Sequence, residues 1–422
     1  MRIALVARSS DQAGAYAGAD TAVEAARVSS LGQALVGLGH QVTIFARRDS
    51  AALPDSTIVS PGITVEHVTA GPPAPLGADR VAPHVPEFAH HLARLWRRNL
   101  PDLVHAHSWA AGLAALAGAR DLGVPVAQTF GSMAVAEQRH GMLNDPSDTR
   151  ARLEACIARR ADVVLASSFS EHADLTRLGA PRAAVTVVPC GVDPRRFSPE
   201  GRTAKRGARP RLLAAAPLTA TRSLGLALCA LAEIPDAELV ITGGPARAQL
   251  PHDQAYQALI KLAKALRVRD RLVFTGPVAA RGLPALLRSA DLLMSTTPYE
   301  PVGMLAIQAM ACGTPVVTAT AGAEPDAVVD MTTGLIAPPG RPAQVAWRIR
   351  RLLANPLRLD AYGIAAADRA RSRYSWERIG RETLAAYAHG TRRPEAATGV
   401  QSSRPHRAGV RDVRHIPAGA PA

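Results

Sequence analysis

Short β-branched and aliphatic runs alternate with helix-length segments from the first residues onward. Ile3 to Ala7, Val42 to Phe45, Thr64 to Val68, Leu103 to Ala106, Val124 to Gln128, Val163 to Ala166 and Val185 to Val188 read as buried strands. In the first intervening segment Val23, Leu31, Leu35 and Leu38 share one helical face, with Asp20 at the cap position and Gly39 as the stop signal. Strands that alternate with amphipathic helices in this way predict a parallel α/β architecture.

The periodicity fails between Val192 and Arg211, where proline, glycine and arginine take over as in a linker. A second series follows, with strands expected at Arg211 to Ala215, Glu238 to Thr242, Arg271 to Thr275, Leu292 to Ser295, Val316 to Thr318 and Gly334 to Ile336. The pattern therefore divides the chain into a first Rossmann-like domain over residues 1–195, a linker over 196–210 and a second domain over 211–370. A helix over 371–390 is expected to return to the first domain, and a basic, disordered tail occupies 391–422. Two doubly wound domains in tandem place a cleft between the carboxyl ends of their strands, where such folds bind ligands.

At 422 residues the chain is long enough for two cores, and 47% hydrophobic content can fill them. Four widely spaced cysteines without a Cys-x-x-Cys pair argue against a zinc site or a disulfide framework and fit a reducing cytoplasm. The apolar start is too short for a signal peptide, and glycine and proline interrupt the uncharged stretch from Pro301 to Ala323, so no transmembrane segment is expected. The net charge of +14 leaves open anionic partners, including peripheral contact with a membrane surface through the tail. The 4% aromatic content and the lack of a binding signature argue against nucleic acid as a partner.

The most informative stretch is ADLLMSTTPYEPVGMLAIQAMACGTPVV, from Ala290 to Val317. A strand ends near Thr296, a loop carries Tyr299, Glu300 and Gly303, and a helix runs from about Met304 to Cys312. Unpaired amides at that helix start, aided by the positive end of the helix dipole, suit a diphosphate, and Gly303 permits close approach. Spacing puts Glu300 before the site and Gln308 one turn inside it, which fits either a ligand across the helix start or an ordinary strand-loop-helix unit.

This stretch resembles the Glu-x7-Glu region of the family 4 retaining glycosyltransferases, whose fold is called GT-B. The resemblance extends through VVPCGVDPRRFSP, DLVHAHSWAAGLAALAGARDLGVPVAQTF, ADVVLASS and ELVITGGP, and covers residues 1–390 in order. It implies two Rossmann-like domains facing across a cleft and transfer of a sugar from a nucleoside-diphosphate sugar, a co-substrate, to an unidentified acceptor hydroxyl. It also implies that Glu300 contacts the sugar hydroxyls, that the amides of Val302, Gly303, Met304 and Leu305 face the diphosphate, and that Gln308 replaces the glutamate that holds the ribose. Gly243, within ELVITGGP, joins the donor side.

Several positions depart from the family pattern. Its Arg and Lys diphosphate clamp reads here as Pro217 and Arg222, so Arg222 alone keeps a cation and proline offers no donor. The glycine-rich turn after the first strand holds Gly14, Tyr16 and Gly18, and Gly131 stands where the family has histidine. His107 is either a cleft residue or a structural one, and Arg139 and His140 meet either an anionic acceptor or solvent. The sequence contains no Asp-x-Asp pair and no P-loop, which predicts a metal-free reaction with leaving-group charge borne by Arg222 and the helix amides. The resemblance implies front-face displacement without a protein nucleophile. The competing readings are a catalytically silent relative that binds sugar nucleotide or supports a partner enzyme, and an epimerase or phosphorylase on the same fold.

Overall fold

The computed structural model describes residues 1–10, 20–142 and 148–390. In the amino-terminal lobe the strands are β1 (Arg2–Ala7), β2 (Gln41–Arg47), β3 (Ser56–Ser60), β4 (Ile63–Val68), β5 (Leu103–His107), β6 (Val126–Thr129), β7 (Val163–Ala166) and β8 (Val185–Val187). They form one sheet in the order β3-β4-β2-β1-β5-β6-β7-β8, parallel except for β3. The expected strand from Val124 starts two residues later, because Pro125 has no amide to donate to the ladder. β3 was not predicted: its Ile58 and Val59 lie exposed on a sheet edge, so burial imposes no apolar alternation on it.

The carboxyl-terminal lobe contains β9 (Arg211–Ala215), β10 (Glu238–Thr242), β11 (Leu272–Gly276), β12 (Leu292–Ser295), β13 (Tyr299–Glu300), β14 (Val316–Thr318), β15 (Ala321–Gly322) and β16 (Gly334–Ile336). Its main sheet runs β11-β10-β9-β12-β14-β16, all parallel, while β13 and β15 pair separately. Both faces of each sheet are covered by helices, which is why the strands read as continuous apolar runs. Leu212, Ile241 and Met294 point into one core layer, and Leu213, Val240 and Leu293 into the other.

Each sheet reverses its winding once, at β1/β5 in the first lobe and at β9/β12 in the second. Loops that leave neighbouring strands in opposite directions open a crevice at such a point, so the topology itself locates two ligand sites. The carboxyl ends of the two sheets meet. Tyr299, beyond β12, packs among Trp109, Phe130 and Met133, which follow β5 and β6, and the Phe169 amide beyond β7 donates to Asp326 Oδ2 at 2.8 Å.

The chain crosses between lobes along a shared seam. The Val192 amide donates to the Tyr374 carbonyl at 2.7 Å, and the Trp376 amide donates back to Val192 at 3.1 Å. The helix Pro356–Tyr374 lies on the second lobe, whereas Trp376–Gly390 lies against Asp20–Gly37 of the first and buries Ile379, Ala386 and Tyr387 there.

Candidate functional site

The loop after β12 and the helix after β9 flank the second lobe's crevice. Thr296 Oγ1 donates to the Ser223 carbonyl at 2.7 Å, joining the two. Gly303 caps the helix Met304–Ala311 with φ of +67°, a left-handed conformation that favours glycine. A Cβ there would lie 3.3 Å from Ala323 Cβ, so a side chain would also press on the loop beyond β15.

Glu300 bends back over this helix start. Its Oε1 accepts from the amides of Val302 at 3.3 Å and Gly303 at 3.1 Å. Two of the four amides assigned to a diphosphate are thus held by the protein's own carboxylate. Among the described residues no acceptor meets the amides of Met304 and Leu305. Gln308 is buried, and its Oε1 has no partner among the described residues. A buried carbonyl without a donor is costly, so a ligand hydroxyl at that point would be stabilised.

Arg222 is exposed in the first turn of the helix Thr221–Ala232, immediately before Ser223, and forms no ion pair among the described residues. Pro217 lies half-buried in the same loop, its carbonyl accepting from Ala220. Gly243 ends β10 at φ +119° and donates its amide to the Gly276 carbonyl, so it shapes the crevice wall but presents no free donor.

In the first lobe the expected residues separate. His107 is 2% exposed, packed at 4.1 Å between ring centroids against His105, and its Nε2 has no partner among the described residues. Burial holds its imidazole well below the usual histidine range, with the nearby His105 and Arg27 adding to the effect. It therefore lies beneath the crevice, not on its surface. Arg139, left to an acceptor or to solvent by the sequence, instead forms a bidentate pair with Asp174 at 3.1 and 2.6 Å. Arg150, bonded to Glu137, Glu154 and the Ser132 carbonyl, fixes the helix Ala134–Arg139 that delivers His140 to Tyr299. Gly131 has φ of +79°, and among the described residues a Cβ there would meet no atom within 4 Å. Gly14, Tyr16 and Gly18 lie outside the described residues.

The sequence reading missed a pocket of about 70 Å³ near the carboxyl ends of β1 and β2, lined by Arg8, Ser9, Arg47 and Asp49 among others. Glu24 holds the Arg8 guanidinium at 2.8 and 2.7 Å, and Arg47 donates to the carbonyls of Arg48, Ala70, Pro72 and Ala74. Ser9 donates to Asp49 at 2.5 Å. These polar residues carry no spacing motif; only the pairing of β1 with β2 brings them together.

Two doubly wound lobes meeting at their carboxyl ends, with a helix amide cluster in the second, define the GT-B class. A model of Glycosyltransferase Family 4 matches residues 25–196, and one of Glycosyl transferases group 1 matches 202–369. A D-inositol 3-phosphate glycosyltransferase of Streptomyces bingchenggensis is 32% identical over 388 residues, covering 86% of this chain and 84% of the relative. The protein of that name from Kribbella flavida is 32% identical over 384 residues, with 86% and 90% covered. Among solved structures, a sucrose-phosphate synthase from Thermosynechococcus elongatus superposes with a TM-score of 0.81 at 24% identity, covering 92% of this chain and 98% of that one. Anabaena HepE in complex with UDP-glucose gives 0.69 at 18%, covering 92% and 99%. The chain belongs to the group 1, family 4 glycosyltransferases and is an enzyme of that class. Among the described residues no helix is long and apolar enough to cross a membrane, and no three His, Cys, Asp or Glu side chains are grouped to hold a metal ion.

Proposed function

We propose that this glycosyltransferase moves a sugar from a nucleoside diphosphate to an acceptor hydroxyl with retention at the anomeric carbon and without a divalent cation. The observation that carries the reading is the start of the helix Met304–Ala311, where two amides and the buried Gln308 carbonyl stand together without partners among the described residues. The amides match phosphate oxygens and the carbonyl matches a ribose hydroxyl. Glu300, seated at the same helix start, takes the hydroxyls of the transferred sugar.

The bond between the anomeric carbon and the phosphate oxygen breaks, and its electron pair stays on the diphosphate. The Met304 and Leu305 amides and the Arg222 guanidinium meet that charge, as fixed donors do in a preorganised site. The acceptor oxygen attacks from the face the diphosphate leaves, and its proton passes to the departing phosphate oxygen. Tyr299, buried between the lobes, helps close the reacting centre from water. The acceptor enters over the pocket of Ser9 and Asp49. The relatives' name makes inositol 3-phosphate the first acceptor to assay, and because Arg8 and Arg47 already have partners, unphosphorylated polyols belong beside it. The four free cysteines accord with a cytoplasmic site of action.

A panel of nucleotide sugars, each with and without acceptor, tests the reading by release of nucleoside diphosphate. Acceptor-dependent release that persists in EDTA, with an anomeric coupling constant in the product matching that of the donor, is the expected result. Inversion, or loss of release in EDTA, would remove the corresponding part of the mechanism. Binding without turnover across the panel would remove the transfer reaction.

A further inference from the structure

A second carboxyl lies beside Glu300, and the transfer chemistry leaves it unused. Glu324 begins the short helix Glu324–Ala327 and is 3% exposed. Thr318 Oγ1 donates to its Oε2 at 2.8 Å, and the Ser295 side chain lies beside it. Ser295 and Thr318 are the facing terminal residues of β12 and β14. The buried carboxyl is therefore fastened to the floor of the donor crevice.

Backbone contacts tie it to Glu300. β13 and β15 pair Glu300 with Gly322, and the Ala323 amide donates to the Glu300 carbonyl at 2.8 Å. A Cβ at Gly322 would lie 2.2 Å from that same carbonyl oxygen, and one at Gly303 would lie 3.6 Å from the Glu324 nitrogen. The two loops thus pack backbone against backbone.

Burial pushes the Glu324 carboxyl up to about 7, the charge on Glu300 adds to the rise, and the two hydroxyls offset part of it. The other charged groups on the packed elements are engaged elsewhere. Asp326 accepts from the Phe169 amide, and Arg369, from the helix Pro356–Tyr374, donates to the carbonyls of Asp326 and Ala327. No cation is bonded to Glu324 among the described residues.

We propose that Glu324 is a positioning residue for Glu300: when neutral it leaves the Glu300 carboxylate seated on the Val302 and Gly303 amides, and when ionised it drives that carboxylate from its seat and weakens the grip on the donor sugar. The proposal rests on the reading of Glu300 as the donor-sugar contact. Its effect is silent in acid and grows as the pH passes 7, because a carboxyl with a raised pKa ionises late.

Two measurements test it. Carbon-13 NMR of the ligand-free protein, with the Glu324 carboxyl assigned from its disappearance in Glu324→Gln, follows the titration directly. The midpoint is expected near 7 and lower in Glu300→Gln; an ordinary glutamate midpoint, or no change in Glu300→Gln, overturns the coupling. The donor KM, measured with the nucleotide sugar turned over fastest in the panel, is expected to rise roughly fivefold between about pH 6 and about pH 8.5, with a smaller change in kcat. Glu324→Gln, which keeps an acceptor for Thr318 and cannot ionise, should hold the low value throughout. An equal alkaline rise in Glu324→Gln overturns the positioning role. If Glu300→Ala leaves transfer intact, the reading of Glu300 falls; if Glu300→Ala is inactive while Glu324→Gln keeps the rise, only the role of Glu324 falls.

Discussion

The His140 imidazole stacks on the Tyr299 ring, with centroids 5.3 Å apart and planes 5° from parallel. The two residues come from different lobes, and burial together with the neighbouring Arg139 lowers the imidazole's affinity for a proton. A neutral ring on a buried phenol is a removable fastening between the lobes. His140→Ala should raise the donor KM roughly twofold to tenfold, the scale of one aromatic pair, and increase the radius of gyration in ligand-free solution scattering. An unchanged KM and radius would show that the stack does not hold the lobes together.

Glu300→Ala should lower turnover by about a hundredfold or more, as loss of a transition-state contact does. Because the carboxylate also caps the Val302 and Gly303 amides, the same variant should lose about 1 kcal/mol of stability. Steady-state kinetics and urea unfolding separate the two effects.

Pro217→Arg returns a cation to the loop beside Arg222. Nucleoside diphosphate affinity, read by calorimetry, should rise roughly fivefold to tenfold, in line with one charge-assisted hydrogen bond. No gain would mean that the Pro217 loop does not reach the diphosphate.

Gly131→His meets no described atom at Cβ but forces a side chain onto φ of +79°. The variant should lose about 1–2 kcal/mol in equilibrium unfolding. Gly131→Ala should lose a similar amount, since the backbone and not the ring sets the cost.

His105 is fully enclosed, bonded to Tyr387 at 2.7 Å and Thr129 at 2.9 Å, and burial pushes its imidazole down to about 3. Between that value and 6.5 the unfolded chain takes up a proton that the native state refuses. Stability contributed by the neutral ring is thus present above pH 6.5 and lost on acidification, by up to about 1.4 kcal/mol per pH unit. The unfolding free energy of His105→Gln should show a shallower acid slope than that of the parent; equal slopes would assign the acid sensitivity to other groups.

The fold was legible because buried parallel strands need continuous apolar runs: Arg211–Ala215, Glu238–Thr242 and Leu292–Ser295 stand where the pattern put them. β3 was not, since an edge strand needs no such run. In the site, the helix beginning at Met304 and the position of Glu300 followed from spacing and glycine. The bonds of Glu300 to its own helix, of Arg139 to Asp174 and of Glu324 to Thr318 did not. The Arg139 pair depends on β6 and β7 ending side by side, which local sequence does not record, and the two glutamate bonds depend on how each loop folds back on itself, which spacing alone does not set.

The seam at Val192 and Tyr374–Trp376 gives the molecule a spine. Because both passages of the backbone are laced to each other there, a turning of the halves would run like that of a book's covers, with little travel at the binding and the widest sweep at the fore-edge. Gly191 sits in that binding, where an added Cβ would lie 2.5 Å from the Trp376 indole. Even an alanine at this one joint would stiffen or splay the whole volume while leaving every page, and every residue that touches sugar, as it was.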